Sequence, residues 1–374
     1  MRKPFRIVVV VVALAALFGL SAHQIRAFAQ STTTSTTSTA PTTTTPTTTT
    51  PATTTTLPPT VTLSAVGDTE LGNTPQLPSN PNSYFSPVKA ALAAPIVFGN
   101  LEGTMTTATT SKCGPSTKEC YAFKVPPSYA RVYRAAGFTV LNAANNHSAD
   151  FGKAGLVSTT AALRAAGIAQ AGLPGEIGVV HDGSIRVAFV DFAPYTNTND
   201  LLNFAAASRL IAKAKAIANV VVVYMHAGAE GASADHVTRK TEYYVGENRG
   251  NPYAFAHAAI NDGADLVIAS GPHVLRGMEF YRGHLIDYSL GDFANYDDFA
   301  LDGDLDLSGI LHVTLTATGS FVSARFTSIV LRGAGQAFVD PSDAAAHFVN
   351  QLSNDDFAES AARIAPSGTI RLAS

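Results

Sequence analysis

Acidic, amide and imidazole side chains recur along the sequence directly after short apolar runs. Asp68 and Glu70 follow the first such run, and Asn100 and Glu102 follow the second. Later runs are followed by further residues of the same types: Asn146, His147, His226, Glu230 and His273. Ligands of an open α/β sheet bind beyond the carboxyl ends of its strands, so five strands that deliver such residues to one edge predict a site there.

The types of these side chains indicate a metal site. Carboxylate, imidazole and amide oxygen suit Mn²⁺, Fe or Zn²⁺, and the lack of thiolates argues against a closed structural zinc site. Asp68 and Glu70 are two residues apart, so in an extended segment they point to the same side, and the same holds for Asn100 and Glu102. We therefore expect one or two divalent ions.

The elements that must position these residues are short strands alternating with Ala-rich helices. Brief, β-branched runs predict buried strands over Val61–Val66, Ile96–Phe98, Phe138–Leu141, Val187–Val190, Val220–Met225 and Leu266–Ile268. Helical patterns lie between them at Pro87–Ala93, Pro127–Ala136, Ala154–Ala166, Leu201–Ala218 and Pro252–Asn261. Two predicted hairpins follow, turning near 282–284 and 318–320. The pattern predicts an α/β fold with two packed sheets.

The first 29 residues have the pattern of a signal peptide. A basic stretch with Arg2, Lys3 and Arg6 precedes the apolar run Ile7–Leu20, and Ala27-Phe28-Ala29 gives a small-x-small cleavage site. An uncleaved membrane anchor is the alternative, although the apolar run is shorter than the ~20 residues of a spanning helix. Either reading places the protein outside the cytoplasm, secreted or at the cell surface.

Composition separates a linker from a folded domain. Residues 30–60 are almost entirely Thr, Ser and Pro, which predicts a disordered linker because such a segment has no apolar side chains to bury. We expect one folded domain over residues 61–374. Cys113 and Cys120 are the two cysteines of the chain and suit a local disulfide in an oxidising compartment. Two free thiols or a metal pair remain the alternatives.

Several functional classes are disfavoured by the sequence. The formal net charge of −3 gives no basic surface for nucleic acid, so we expect no nucleic-acid partner. The chain has neither the Gly-x-Ser-x-Gly nucleophile elbow of serine hydrolases nor the phosphate-binding loop of nucleoside triphosphatases.

Seven short motifs together resemble the CapA-type poly-γ-glutamate capsule biosynthesis family, in order and in spacing, from about Val61 to about Val330. They are Val66–Gly72, Asn100-Leu101-Glu102, Ala144–His147 with Asp150–Gly152, His226–Glu230, Gly263–Ile268, Pro272–Leu275 and Tyr288–Phe293. This family is similar to calcineurin-like metallophosphatases, which hold two metals between two packed sheets. The resemblance therefore implies a metallophosphatase-like two-sheet α/β sandwich flanked by helices.

The resemblance also implies roles for individual residues. Asp68 resembles the carboxylate on the first metal and His273 the imidazole on it. Glu102 resembles the bridging carboxylate, and Asn146 and His226 resemble ligands of the second metal. The catalytic residues implied are Asp68 and, as a nearby acid or electrostatic stabiliser, His147.

The sequence departs from the family pattern at three positions. Gly271 replaces the first imidazole of a usual His-Pro-His, so we expect one reasonable metal site and one impaired or empty one. Glu70 offers a carboxylate where metallophosphatases carry His. Asp292 stands in place of Asn, where it could approach the site or cap a turn. Asn100, Glu230 and Asp292 are the predicted substrate-binding residues, although Asn100 could instead orient the Glu102 loop.

Two functions are compatible with these features. One is a metal-dependent hydrolase or transferase acting on a phosphoester or on an extracellular polymer. The other is a non-catalytic factor that binds or tethers such a polymer with a degenerate metal site. In both cases the resemblance implies an anionic polymer such as poly-γ-glutamate and other capsule-assembly proteins as partners.

Overall fold

The computed structural model describes residues 58–114 and 120–372 of the chain. The predicted signal peptide, 1–29, and nearly all of the predicted linker, 30–60, lie outside these residues. The first strand begins at Thr60, one residue before the predicted start of the folded domain. None of the helices in the described ranges combines the length and the apolar character that a membrane crossing requires.

The strands and helices alternate through the first two thirds of the domain, as predicted. In chain order the strands are β1 (Thr60–Glu70), β2 (Ile96–Leu101), β3 (Thr104–Met105), β4 (Lys124–Val125), β5 (Val140–Asn142), β6 (Ala169–Ala171), β7 (Gly178–Asp182), β8 (Ile185–Ala193), β9 (Asn199–Asp200), β10 (Val220–His226), β11 (Tyr243–Tyr244), β12 (Glu247–Asn248), β13 (Leu266–Ser270), β14 (Met278–Tyr281), β15 (His284–Asp287), β16 (Asp292–Asn295), β17 (Leu307–Thr316), β18 (Phe321–Arg332), β19 (Gln336–Val339), β20 (Ala362–Ile364) and β21 (Thr369–Leu372). The α-helices are α1 (Lys89–Leu92), α2 (Ala130–Ala136), α3 (Gly152–Ala166), α4 (Phe204–Ile217), α5 (Pro252–Asn261) and α6 (Ala344–Phe357).

Most of these strands form two large sheets. The first has the order β20-β21-β18-β17-β1-β2-β5-β6, with β16 also beside β1 and β19 beside β18. The second has the order β14-β15-β13-β10-β8-β7, with β9 beside β8. In the first sheet β1, β2, β5 and β6 run parallel, and in the second β8, β10, β13 and β15 do. Their carboxyl ends can therefore converge on one edge.

A buried apolar layer joins the two sheets face to face. Phe98 on β2 stacks against Phe189 on β8, with ring centroids 5.2 Å apart, and also contacts Tyr224 on β10. A second apolar cluster covers the outer face of the first sheet beneath α2 and α3, and a third packs α4 and α5 on the second sheet. The predicted two-sheet α/β sandwich flanked by helices is thus confirmed.

The helix boundaries follow local chemistry. Asn203 and Asn251 cap α4 and α5 by accepting a hydrogen bond from the backbone N–H three residues later. Pro252 occupies the first turn of α5, where its missing N–H has no partner to lose. The helices α2 and α3 end at Gly137 and Gly167, both left-handed, which glycine adopts readily.

Candidate metal centre

Asp68 lies at the middle of the candidate site because β1 has a neighbour on each side. Its Cα is paired with that of Asn100 on β2 and with that of Asp292 on β16. The strand β1 is irregular here, and a Cβ on Gly67 would lie 1.8 Å from the backbone oxygen of Gly291. Only glycine at position 67 allows this close approach, which brings β16 and its carboxylate to the site.

One group of potential ligands contains Asp68, Glu102 and His226, which are all buried. His226 Nδ1 lies 3.9 Å from Asp68 Oδ1 and 3.7 Å from Glu102 Oε2. Glu102 comes from the first sheet and His226 from the end of β10 in the second sheet. One ligand atom from each residue lies within 4.8 Å of the other two, which is close enough for one ion to contact all three.

A second group shares Asp68 and adds His273 and Asp292. His273 Nδ1 lies 2.8 Å from Asp292 Oδ1 and 3.3 Å from Asp68 Oδ2. The backbone of His273 is left-handed, with φ of 58°, and its ring stacks on Phe299 at 4.5 Å. A non-glycine residue held in this conformation is uncommon and costs about 1–3 kcal/mol, so the surrounding structure fixes it in place.

Three buried polar atoms near these groups have no hydrogen-bond partner among the described residues. They are Glu102 Oε1, His226 Nε2 and Asn146 Oδ1. An unsatisfied buried polar atom costs about 1–3 kcal/mol, so its presence in a native protein requires an explanation. A bound cation is one such explanation, since carboxylate, imidazole and amide oxygens are its usual ligands. The residues present therefore fit a divalent metal, whose identity they leave open.

A network of amides and hydroxyls holds the carboxylates in place. Asn100 Nδ2 donates to Asp68 Oδ1 at 2.6 Å and also to Glu102 Oε2. Asn100 Oδ1 accepts from Asn142 at 2.6 Å and from Asn145 at 2.9 Å. From the second sheet, the Ser270 hydroxyl donates to Asp68 Oδ1. The Asn100 side chain thus orients both carboxylates, and its role in substrate binding stays a prediction.

Asn142, Asn145 and Ser270 were missed as site residues in the sequence-based prediction. Asn142 and Asn145 follow the same apolar run as Asn146, so their position gave a signal. Ser270 gave none, because a serine at the end of a strand is a common turn residue.

Burial and neighbouring charges shift the pKa values of the buried site residues. Burial alone would raise the pKa of Asp68, but His273, His226 and Ser270 outweigh it and lower this pKa to about 2. Burial and the neighbouring Asp68 charge raise the pKa of Glu102 well above its usual value. Burial lowers the pKa of His226 well below its usual value, which keeps the imidazole neutral. A neutral imidazole and an ionised Asp68 are the states that bind a metal.

His147 forms a hydrogen-bonded pair with Asp150 beside the metal ligands. Its Nδ1 lies 2.8 Å from Asp150 Oδ2, and its ring contacts Phe123 at 4.4 Å. Lys112 Nζ lies 2.6 Å from the other oxygen of Asp150. Burial lowers the pKa of His147, although Asp150 opposes this effect. Because Nδ1 faces a carboxylate, Nε2 is the ring nitrogen left to exchange a proton with a ligand.

Two of the predicted site residues lie at the periphery. Glu70 is buried but belongs to neither ligand group, and burial together with the charges of Asp298 and Glu102 raises its pKa well above the usual value. Glu230 Oε1 forms an ion pair with Arg249 at 2.6 Å, while its Oε2 lies 3.9 Å from His273 Nε2. Glu230 therefore borders the second group. Asp292, predicted to bind substrate, instead lies within that group.

Comparison with known proteins assigns the chain to a family. The model of the bacterial capsule synthesis protein PGA_cap matches residues 62–297, which is more than half of the chain. The chain belongs to the PGA_cap family. The resemblance found in the motifs is thereby confirmed.

Two relatives of this PGA_cap protein are capsule proteins of bacilli. It is 29% identical to the PGA biosynthesis protein CapA of Bacillus subtilis over 218 residues, which is 54% of this chain and 53% of that protein. It is 30% identical to the capsule biosynthesis protein CapA of Bacillus anthracis over 183 residues, 44% of this chain and 41% of that protein. The chain thus spans about half the length, or less, of these curated relatives.

Solved structures with a related arrangement include two nucleotidases. A putative 5'-nucleotidase from Staphylococcus aureus, in complex with alpha-ketoglutarate, has 13% identity and a TM-score of 0.45, covering 79% of this chain and 58% of that one. A 5'-nucleotidase precursor from Thermus thermophilus has 14% identity and a TM-score of 0.39, covering 72% of this chain and 54% of that one.

Gly271 of this PGA_cap protein occupies a position where a side chain would be crowded. Its φ is +110°, and a Cβ there would lie 3.1 Å from His226 Nε2 and 3.1 Å from the backbone nitrogen of Ala227. Its N–H donates to Asp68 Oδ2 at 3.2 Å. A larger residue here would strain the backbone and crowd the unpartnered nitrogen of His226. The missing imidazole thus coincides with a backbone conformation that side chains rarely adopt.

The predicted disulfide of this PGA_cap protein is present. Cys113 and Cys120 are bonded, with their Cα atoms 5.6 Å apart. The preceding residue, Lys112, donates from Nζ to the backbone oxygen of Asn146 at 3.1 Å and pairs with Asp150. The disulfide-closed loop is therefore attached to the segment that carries His147.

Proposed function

We propose that this protein is an extracytoplasmic metal-dependent hydrolase or transferase of capsule-type polymer biosynthesis, acting on poly-γ-glutamate or a similar anionic polymer. One observation carries the proposal: Asp68 belongs to two adjacent three-residue ligand groups. Its Oδ1 lies 3.9 Å from His226 Nδ1 of the first group, whereas its Oδ2 lies 3.3 Å from His273 Nδ1 of the second. A carboxylate placed in this way can bridge two ions.

Each residue of the site has its own role in the proposed reaction. A divalent metal, when bound, would act as a Lewis acid and activate a water molecule for attack. Asp68, Glu102 and His226 would hold one ion, with Asn146 nearby, and Asp68, His273 and Asp292 would hold another. The Asn100 amide keeps Asp68 and Glu102 aligned, and His147, oriented by Asp150, would deliver a proton from Nε2 to the leaving group.

The names of the relatives support a role in capsule biosynthesis more directly than they support any particular chemical reaction. The relatives in the bacilli are named for PGA and capsule biosynthesis, and the anionic polymer and other capsule-assembly proteins are proposed as partners by analogy with them. The extracytoplasmic location rests on the predicted signal peptide, 1–29, and is consistent with the disulfide, since disulfides persist in oxidising compartments.

A second candidate function is favoured by Gly271. A site that lacks one imidazole, at a position where a side chain would be strained, could bind carboxylates of the polymer through a metal without turning them over. The protein would then be a non-catalytic binding or tethering factor at the cell surface. Binding of polymer without turnover distinguishes this function from catalysis.

The test uses the purified chain with and without Mn²⁺ or Zn²⁺, assayed on phosphoesters and on poly-γ-glutamate. We expect turnover that requires metal and falls by about 100-fold or more in His147→Ala, the usual loss when a general acid is removed. His181→Ala, an exposed histidine on β7, is the matched control and should match the wild type. Turnover that is equal in both variants, with metal content at background, would overturn the catalytic proposal.

The binding alternative has its own measurement. A Glu102→Ala, His273→Ala double variant should lose both metal and polymer binding if the metal holds the polymer. Polymer binding that persists in the metal-free variant would rule out the metal-bridged form of this function.

A further inference from the structure

Arg249 is a buried cation with two unpaired donors. The residue follows β12 and is only 1% exposed. Its Nη1 donates to Glu230 Oε1 at 2.6 Å, but its Nε and Nη2 have no hydrogen-bond partner among the described residues. Leaving buried donors of a charged group unpaired is more costly than leaving neutral ones, so this arrangement calls for a missing partner.

Arg276 shows how a buried arginine with a purely structural role is satisfied in the same protein. It is 0% exposed, and its partner Glu242 lies in the same segment as Arg249, between β10 and α5. Its Nε donates to the backbone oxygen of Ala234 at 2.7 Å, and its Nη1 and Nη2 both donate to the carboxylate of Glu242, at 3.3 and 2.8 Å. The carboxylates beside Arg249, those of Glu230 and Glu247, both face Nη1, so the difference lies on the edge formed by Nε and Nη2.

The unpaired edge belongs to a residue that borders the candidate metal centre. Glu230 connects the two, because one of its oxygens pairs with Arg249 and the other lies 3.9 Å from His273 Nε2. His273 belongs to the second ligand group. Arg249 is therefore separated from the second ligand group by one side chain, that of Glu230.

We propose that Arg249 is a substrate-binding residue that receives an anionic oxygen pair, a carboxylate or a phosphate, beside the metal centre. The Nε and Nη2 hydrogens form a planar fork that matches two oxygens of one such group, and this bidentate pairing is among the strongest hydrogen-bonded contacts in proteins. The inference deepens the proposed function by naming the chemistry that the site recognises, and it rests on that function only for the reaction that follows binding.

Arg249 also lies beside a contact at the protein surface. The Tyr195 ring lies under the guanidinium, 5.9 Å from Cζ, and the Tyr195 hydroxyl donates to Glu247 Oε2 at 3.2 Å. Glu247 lies on β12, and its side chain is 58% exposed. The contact between Tyr195 and Glu247 is thus at the surface, where water competes with it.

The test measures the binding of inorganic phosphate and of glutarate to the full chain by isothermal titration calorimetry, with and without a chelator. We expect at least one of the two anions to bind, and Arg249→Met to weaken that binding by about 10-fold or more, the scale of a lost charge-assisted pair. Arg249→Lys keeps the charge without the fork and should recover only part of the affinity. The anion that binds more tightly identifies the source of the oxygen pair.

Arg239→Met is the matched control, because Arg239 is an exposed arginine that, like Arg249, lies between β10 and α5. It should bind both anions like the wild type. If Arg249→Met does not fold, Arg249→Lys carries the test, and unchanged affinity in it contradicts the fork. Equal affinity in a folded Arg249→Met variant, or no binding of either anion to the wild type, overturns the proposal.

Failure of this inference and failure of the proposed function give different results. Metal content and turnover that persist alongside anion binding independent of Arg249 would remove only the inference. Anion binding that depends on Arg249, in a wild-type protein without metal or turnover, would leave the inference standing and remove the catalytic function.

Discussion

At the scale of single residues, the site is organised by Asp68. Its two oxygens face different imidazoles, and five hydrogen-bond or ion-pair contacts fix its position, from Asn100, Ser270, Gly271, His226 and His273. The notable feature of the second ligand group is that His273 Nδ1 lies between two carboxylates, those of Asp68 and Asp292. A cation shared by the same oxygens would stabilise them in a similar way.

Asp292→Asn tests the second ligand group. Asp292 either binds the metal itself or orients His273, and losing a partner of this kind typically weakens metal affinity by about 10- to 100-fold. We expect that loss for Mn²⁺ or Zn²⁺ in calorimetric titrations. Asp262→Asn, a change at the C-cap of α5, serves as the control and should bind like the wild type. Unchanged affinity in Asp292→Asn would remove Asp292 from the centre.

At the scale of the elements, a buried carboxylate on β14 joins this strand to α5 and to the segments that follow β15 and α6. Glu279 on β14 accepts from the Tyr288 hydroxyl at 2.7 Å and from the Ser360 hydroxyl at 2.9 Å, and His257 Nε2 on α5 lies 2.6 Å from it. Burial alone would raise the pKa of Glu279, but these hydrogen bonds outweigh it and lower the pKa below 4.5. The ionised form is therefore the one that stabilises the fold.

Glu279→Gln should destabilise the protein in a pH-dependent way. A carboxylate with a lowered folded-state pKa contributes stability above its unfolded pKa, and this contribution is lost as the pH falls through the folded pKa. At pH 7 we expect the variant to lose about 1–3 kcal/mol of unfolding free energy. The difference from the wild type should shrink below about pH 4.5. Urea titrations between pH 3.5 and 7 measure it, and a difference that grows towards acid would contradict this account.

The disulfide-closed loop is the second feature at this scale. Cross-linking Cys113 and Cys120 restricts the unfolded chain over a short loop, which is worth about 2 kcal/mol in the chain-entropy model. The Cys113→Ser, Cys120→Ser double variant should lose about this amount in urea titrations. The wild type should lose the same amount in reductant, whereas the double variant should not respond to reductant. A response of the double variant would show that reductant acts elsewhere.

Elements with strong local signals were predictable from the sequence, and the others were not. The predictions matched the structure for the β-branched strands β1, β2 and β10 and for the capped helix α5. In these elements the local residue types alone determine which side chains are buried and where the helix begins. The helix α6 was missed: it begins after Asp343, which is left-handed and makes no side-chain cap hydrogen bond. The same limit applies to the site, since the pairing of β16 with β1, which brings Asp292 to Asp68, depends on contacts between distant segments.

At the scale of the whole molecule, the candidate centre joins the two sheets of the sandwich. Asp68, Glu102 and Asp292 come from strands of the first sheet or the turns that follow them, whereas His226, Ser270 and His273 come from the edge of the second. The sheets share an apolar core below this edge. Metal binding should therefore stabilise the packing of one sheet on the other, because a ligand that binds only the folded state adds to its stability.

Metal analysis of the purified chain tests the central claim most directly, in the wild type, in Asp68→Asn and in the control Asp182→Asn on β7. Both ligand groups require Asp68, so we predict at least about one equivalent of Mn, Fe or Zn in the wild type and in the control, and less than about a tenth of that in Asp68→Asn. Metal at background in the wild type, or equal metal in a folded Asp68→Asn variant, would contradict the account.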